Sequence, residues 1–183
     1  MKWALIRHGL TQGNLERRYT GCRTDEPLCP QGAEALRART FPPAARVFAS
    51  PMTRCLETAA ILYPGAPVEI IDDFRECDFG AFENQNYAGL SRRADYRAWL
   101  DSGGELPFPH GESRAQFAAR CVTAFEQIRQ QDEDCAVVAH GGTLMAIMEK
   151  FAVPEGRYFD FQVGNGEGFV MEEDGRYARI AIK

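Results

Sequence analysis

Histidine is scarce in this chain, with three residues in 183. Long hydrophobic runs, a basic surplus and paired-cysteine motifs are also missing. Without about 20 apolar residues in succession, no segment reads as a membrane-spanning helix. The N-terminal apolar run, Trp3-Ala4-Leu5-Ile6, stops at Arg7 and is too short for a secretory leader. A formal net charge of −5 argues against a nucleic-acid binder, Arg17-Arg18 and Arg92-Arg93 being local basic exceptions. The six cysteines (Cys22, Cys29, Cys55, Cys77, Cys121, Cys135) form no C-x-x-C pair. They are expected to be free thiols in a reduced, cytoplasmic protein. Cys55, Cys121 and Cys135 lie in apolar contexts, where a thiol behaves as a small hydrophobe. The remaining composition, 45% hydrophobic and 26% charged, is that of a globular protein. The length predicts a single domain, 1–183, that buries roughly two-thirds of its unfolded surface.

Buried strands are predicted at Trp3 to Ile6, Arg46 to Ala49, Val68 to Ile71 and Cys135 to Ala139. Gly168 to Glu172 and Tyr177 to Ile182 form a hairpin around Asp174-Gly175. Helical spacing marks a segment opened by Pro30, then Thr53 to Tyr63, Glu112 to Gln131, and Thr143 to Phe151. This alternation predicts an α/β fold with a mainly parallel sheet and an antiparallel strand near the C-terminus. Residues 84–110 interrupt it with aromatic and charged side chains (Tyr87, Arg92, Arg93, Tyr96, Trp99) and read as a helical excursion, a lid or a substrate wall.

Two of the three histidines end apolar strands: Arg7-His8-Gly9 follows the first and His140-Gly141-Gly142 follows the fourth. Ligands in open α/β sheets bind at the carboxyl ends of strands, so both imidazoles are expected in one crevice. The glycines allow close backbone approach, and the helix after them offers free N–H groups to an anion. A third strand end delivers Arg54 into the first turn of a helix, where the dipole disfavours a cation unless an anion is nearby. Arg7 and Arg54 then form two planar forks suited to phosphate oxygens. The strand end after Val68 to Ile71 brings carboxylates that an anion site would otherwise avoid, which suits a general acid. Glu76 is one such group, with Asp72, Asp73, Asp78 and Glu83 as competitors. A metal site is disfavoured, because no histidine pair has ligand spacing and two arginines would repel the ion.

These residues resemble the histidine phosphatase, or phosphoglycerate-mutase-like, superfamily over nearly the whole chain. The resemblance runs through Arg7-His8-Gly9 with Thr11 and Asn14, Gly21, Asp25, Pro27-Leu28, Gly32, Ser50-Pro51, Arg54 and Glu57-Thr58-Ala59. It continues through Glu76, Phe79-Gly80, Glu83, Gly111-Glu112-Ser113 and His140-Gly141-Gly142. Within the superfamily the chain is most similar to the small phosphatases that include α-ribazole phosphatase. The resemblance implies a three-layer α/β/α sandwich. It makes His8 the phosphoryl-accepting nucleophile, Glu76 the proton donor, and Arg7, Arg54 and His140 the holders of the phosphoryl oxygens. Asn14 and Gly141 complete the phosphate pocket. No cofactor is implied, and the expected partner is a small phosphomonoester bound by a monomer or homodimer.

Four positions depart from the pattern. Leu10 stands where many members carry Glu, Cys29 where Ser or Thr often caps a helix, and Asn84 where Gly is common, while His110 precedes Gly111. A mutase is the nearest alternative, but mutases of the family are generally longer. An alternative of another class is a catalytically weak phospholigand-binding or interaction module. Turnover of a generic phosphomonoester, lost on replacing His8, discriminates against it.

Overall fold

A computed structural model describes residues 1–180. Its centre is a six-stranded sheet in the order β3-β2-β4-β1-β5-β6. The strands are β1 (Lys2–Arg7), β2 (Arg46–Ala49), β3 (Val68–Ile70), β4 (Cys135–Ala139), β5 (Gly168–Glu172) and β6 (Tyr177–Arg179). The first four in chain order are mutually parallel. β5 runs antiparallel to β1 and β6 antiparallel to β5, as the hairpin predicted.

Alternation along the strands sorts side chains into two cores. Trp3, Leu5, Phe48, Val137 and Phe169 face one side, where they meet Phe125 of α6 (Arg114–Ile128) and Leu144, Ile147 and Met148 of α7 (Gly141–Phe151). Ala4, Ile6, Val47, Ala49 and Val138 face the other side and meet Cys55 and Ala59 of α3 (Thr53–Leu62). With both faces covered, the central strands read as continuous apolar runs, as buried parallel strands do. The result is the expected α/β/α layering. A third cluster, including Phe82, Tyr96, Phe108, Phe117 and Tyr158, lies beside these layers.

The remaining helices are short: α1 (Gln12–Leu15), α2 (Pro30–Arg37), α4 (Tyr87–Leu90) and α5 (Ala94–Asp101). The 84–110 excursion thus holds two helices. Pro30 occupies the first turn of α2, and Cys29 Sγ accepts the Gly32 N–H at 3.4 Å, a long sulfur cap where a hydroxyl is usual. All six cysteines are free.

Three expectations need correction. The strand predicted over Val68 to Ile71 is not buried: β3 is an edge strand paired only with β2, and Ile70 is 50% exposed. The helix predicted from Thr143 begins at Gly141, with His140 as its N-cap. The last strand ends at Arg179, and Ala181 and Ile182 lie outside the described residues. No described helix is long and apolar enough to cross a membrane.

Candidate active site

Parallel pairing places Arg7 opposite Ala139, so the residues that follow, His8 and His140, leave the sheet side by side. Their rings lie 5.3 Å apart between centroids. The His8 N–H donates to the Ala139 carbonyl at 2.9 Å. His8 Nδ1–H donates to the Gly9 carbonyl at 2.7 Å. A carbonyl only accepts, so this bond assigns the proton to Nδ1 and leaves a lone pair on Nε2. The Gly9 N–H donates to Thr58 Oγ1 at 3.0 Å, and that hydroxyl donates to the Arg54 carbonyl at 2.6 Å. Burial, reinforced by the charges of Arg54 and Arg7, holds the His8 imidazole well below its ordinary pKa.

His140 is fully buried. Its Nε2 shares a hydrogen bond with Ser50 Oγ at 2.8 Å and lies 3.5 Å from Cys55 Sγ. Burial, then Arg54 and His8, keep it well below the usual imidazole range. The same burial pushes the Cys55 thiol up to about 12, which leaves it protonated and inert.

The two arginines are tethered but not satisfied. Arg7 Nη1 donates to the Val163 carbonyl at 2.7 Å. Arg54 is wholly buried in the first turn of α3 and spans the 20–24 loop, donating to the carbonyls of Thr24 at 2.9 Å, Gly21 at 3.1 Å and Thr20 at 3.4 Å. Nε of each arginine and the Thr20 hydroxyl are buried with no hydrogen-bond partner. A buried orphan donor costs about 1–3 kcal/mol. Three in one region mark a place built for acceptor oxygens.

Glu76 sits where opposing influences meet. Its Oε1 accepts the Cys77 N–H at 2.9 Å, and its Oε2 faces the Gly142 N–H at 3.5 Å, at the start of α7. These N–H groups and the charges of Arg54 and Arg7 favour the carboxylate, but burial outweighs them and the pKa is raised. Gly142 is required by this approach: a Cβ there would lie 2.6 Å from Glu76 Oε1. The competing carboxylates are engaged elsewhere. Asp78 pairs with Arg23 at 2.7 Å, and Glu83 Oε1 accepts the N–H groups of Gly21, Arg23 and Thr24. Asp72 pairs with Arg75, and Asp73 is exposed.

Arg7, His8, Asn14, Glu76 and Gly141 line one cavity of about 420 Å³, while Arg54 and His140, both fully buried, are not in its lining. The aromatic side chains of Tyr19, Phe79, Trp99, Phe108 and Tyr158 share its lining. Trp99, Gly104 and Phe108 come from the excursion, but Arg92, Arg93 and His110 do not line it. Asn14 Oδ1 accepts from Asn165 Nδ2 at 2.9 Å, and the same amide nitrogen reaches the carbonyls of His8 and Gly9. Asn165, Thr20, Thr58 and Ser50 are the partners that sequence reasoning did not assign. Asn165 and Thr20 lie in no strand-end pattern, and Ser50 and Thr58 were noted only as parts of Ser50-Pro51 and Glu57-Thr58-Ala59.

The family model described as histidine phosphatase superfamily (branch 1) matches residues 3–181. The adenosylcobalamin/alpha-ribazole phosphatase of Escherichia coli (strain K12) is 25% identical over 196 residues, spanning 100% of this chain and 95% of that protein. The crystal structure of the alpha-ribazole phosphatase from Shigella flexneri shares the fold, with a TM-score of 0.85 at 23% identity over 100% of this chain and 96% of that one. The crystal structure of phosphoglycerate mutase from Thermus thermophilus gives 0.77 at 26% identity, covering 100% of both chains. With a match spanning almost every residue and a buried pair of strand-end histidines flanked by two arginines, the chain belongs to the histidine phosphatase superfamily.

Proposed function

We propose that the chain is a phosphomonoesterase that hydrolyses a small phosphorylated metabolite through a phosphohistidine on His8. The observation that carries this reading is the His8 Nδ1–H bond to the Gly9 carbonyl, which leaves Nε2 as a neutral nucleophile beside buried, unsatisfied arginine donors. Nε2 attacks phosphorus as the ester oxygen departs. Glu76, whose burial favours the acid form, gives that oxygen its proton. The resulting carboxylate takes a proton from water, and the hydroxide displaces His8 from phosphorus, releasing phosphate and restoring neutral His8. Arg7, Arg54 and His140 hold the charge spread over the equatorial oxygens, and Asn14 and the Gly141 N–H complete the cradle. His140, neutral in the free protein, takes a proton as the dianion arrives.

Among substrates, α-ribazole 5'-phosphate is the first choice. The names of the relatives support it, and the aromatic side chains in the cavity lining suit a leaving group with a flat apolar ring. A phosphate-release screen in EDTA across phosphomonoesters tests this, with α-ribazole 5'-phosphate and 3-phosphoglycerate in the panel. A preference of about a hundredfold, or about 2.7 kcal/mol, for one ester names the substrate. Absence of phosphate release from every ester would overturn the reading in favour of a binding module.

A further inference from the structure

Beyond the cavity at His8 lies a second one of about 450 Å³, which shares Arg7, Asn14, Arg18, Tyr19 and Gln162 with the first. A leaving group that passes Tyr19 and Gln162 therefore enters it. This outer compartment has no carboxylate in its lining, although the chain has 26 acidic residues against 21 basic ones. Three arginines line it. Arg7 belongs to the phosphoryl site, and Arg18 is neutralised by Glu16 at 2.9 Å and Glu26 at 3.2 Å. Arg17 has no ion-pair partner among the described residues and is exposed at the compartment.

The backbone singles out the same residue. Arg17 follows the C-cap of α1 with φ of 55°, in the left-handed region. Glycine or asparagine normally fills that place, because a Cβ with a long side chain is strained there. A strained arginine held without a partner at a carboxylate-free cavity mouth is an observation from which function can be inferred. Tyr87 of the excursion lines the same space, is 67% exposed and offers a flat aromatic surface to whatever occupies it.

We propose that this outer compartment is a second anion subsite, in which Arg17 recognises a carboxylate or phosphate at the far end of the substrate. The inference rests on the reading of the His8 cavity as a phosphoryl site. It extends the substrate class to elongated phosphomonoesters with a second anionic group. α-Ribazole 5'-phosphate lacks such a group and would occupy the His8 cavity without engaging Arg17.

The test compares kcat/KM for two matched pairs, fructose 1,6-bisphosphate with fructose 6-phosphate and 3-phosphoglycerate with glycerol 3-phosphate, in the parent and in Arg17→Gly. Glycine suits the left-handed backbone, so this variant should keep or raise Tm. p-Nitrophenyl phosphate serves as the control ester without a far anion. The parent should prefer the second anion by about tenfold in at least one pair, through KM. Arg17→Gly should erase that preference while leaving p-nitrophenyl phosphate turnover unchanged. Equal kcat/KM within both pairs, or a preference that survives Arg17→Gly, would overturn the subsite and leave the phosphatase reading intact. No turnover of p-nitrophenyl phosphate by the parent would overturn both.

Discussion

Glu76 shows how one residue's environment decides its task. Two backbone N–H groups and two arginines favour its anion, yet burial wins and its pKa rises. The acid form therefore persists to higher pH than for an ordinary carboxyl, and kcat for alkyl phosphates should fall as pH rises through that value. His8, held low, stays neutral on the acid side, so acidification through about 6.5 should not cost activity. A pH–rate profile with an alkyl ester checks both limbs, and a loss on acidification near 6.5 would contradict the His8 assignment. Glu76→Gln should slow alkyl esters about 100- to 10,000-fold and p-nitrophenyl phosphate far less, because that leaving group needs little protonation. Equal losses on both would move the acid role to another carboxylate. Gly142→Ala should act through Glu76: its Cβ would fall 2.6 Å from Oε1 and 2.9 Å from the Phe117 ring. Displacing the carboxyl by about an ångström should cost about 100-fold in kcat, with the fold retained by circular dichroism. His8, His140 and Arg7 were legible as neighbours because two strand ends each deliver a histidine backed by glycine with an arginine beside the first, although one such histidine alone would read as structural. Arg54 was half legible, since its helix position was visible but not the three loop carbonyls it spans. Asn165 was not legible, because only the tertiary fold brings it to Asn14.

The elements were read well where apolar runs are continuous and less well where exposure had to be judged. β2, β4 and β5 begin and end at the predicted residues. Val68-Glu69-Ile70 has a glutamate between two apolar residues, and a run so short does not say whether a second neighbour exists. Apolar spacing placed the start of α6 at Glu112, whereas the helix begins at Arg114 under a reciprocal capping box of Ser113 and Gln116. Ser113→Ala should therefore cost about 1 kcal/mol and lower Tm by about 2–4 °C with kcat unchanged. Thermal denaturation and p-nitrophenyl phosphate turnover on the same preparation check it. A fall in kcat would tie this cap to the site. Within the excursion, the aromatic content signalled a wall, but not that Trp99 and Phe108 would line the cavity while Arg92 and Arg93 would not.

At the scale of the whole molecule, the site weakens the fold that holds it. Two buried imidazoles have lowered pKa values, so below about 6.5 the unfolded chain binds protons that the folded chain refuses. Stability is then lost as pH falls. The raised pKa values of Glu76 and Glu83, both from burial, act in the opposite direction, since the folded state binds those protons more readily, but the two imidazoles are held well below their ordinary range. Tm should fall between pH 7 and 5.5, and millimolar inorganic phosphate should reduce the fall by stabilising the protonated His140. A Tm that rises over this range would contradict the neutral, buried pair. The central claim is that phosphorus passes through His8. Rapid quenching into alkali during turnover of a radiolabelled phosphomonoester, followed by peptide mapping, tests it most directly. The account predicts label on His8 that survives alkali, is lost in acid, and is absent from His8→Ala together with turnover. Undiminished hydrolysis by a folded His8→Ala protein, with no labelled histidine in the parent, would contradict it.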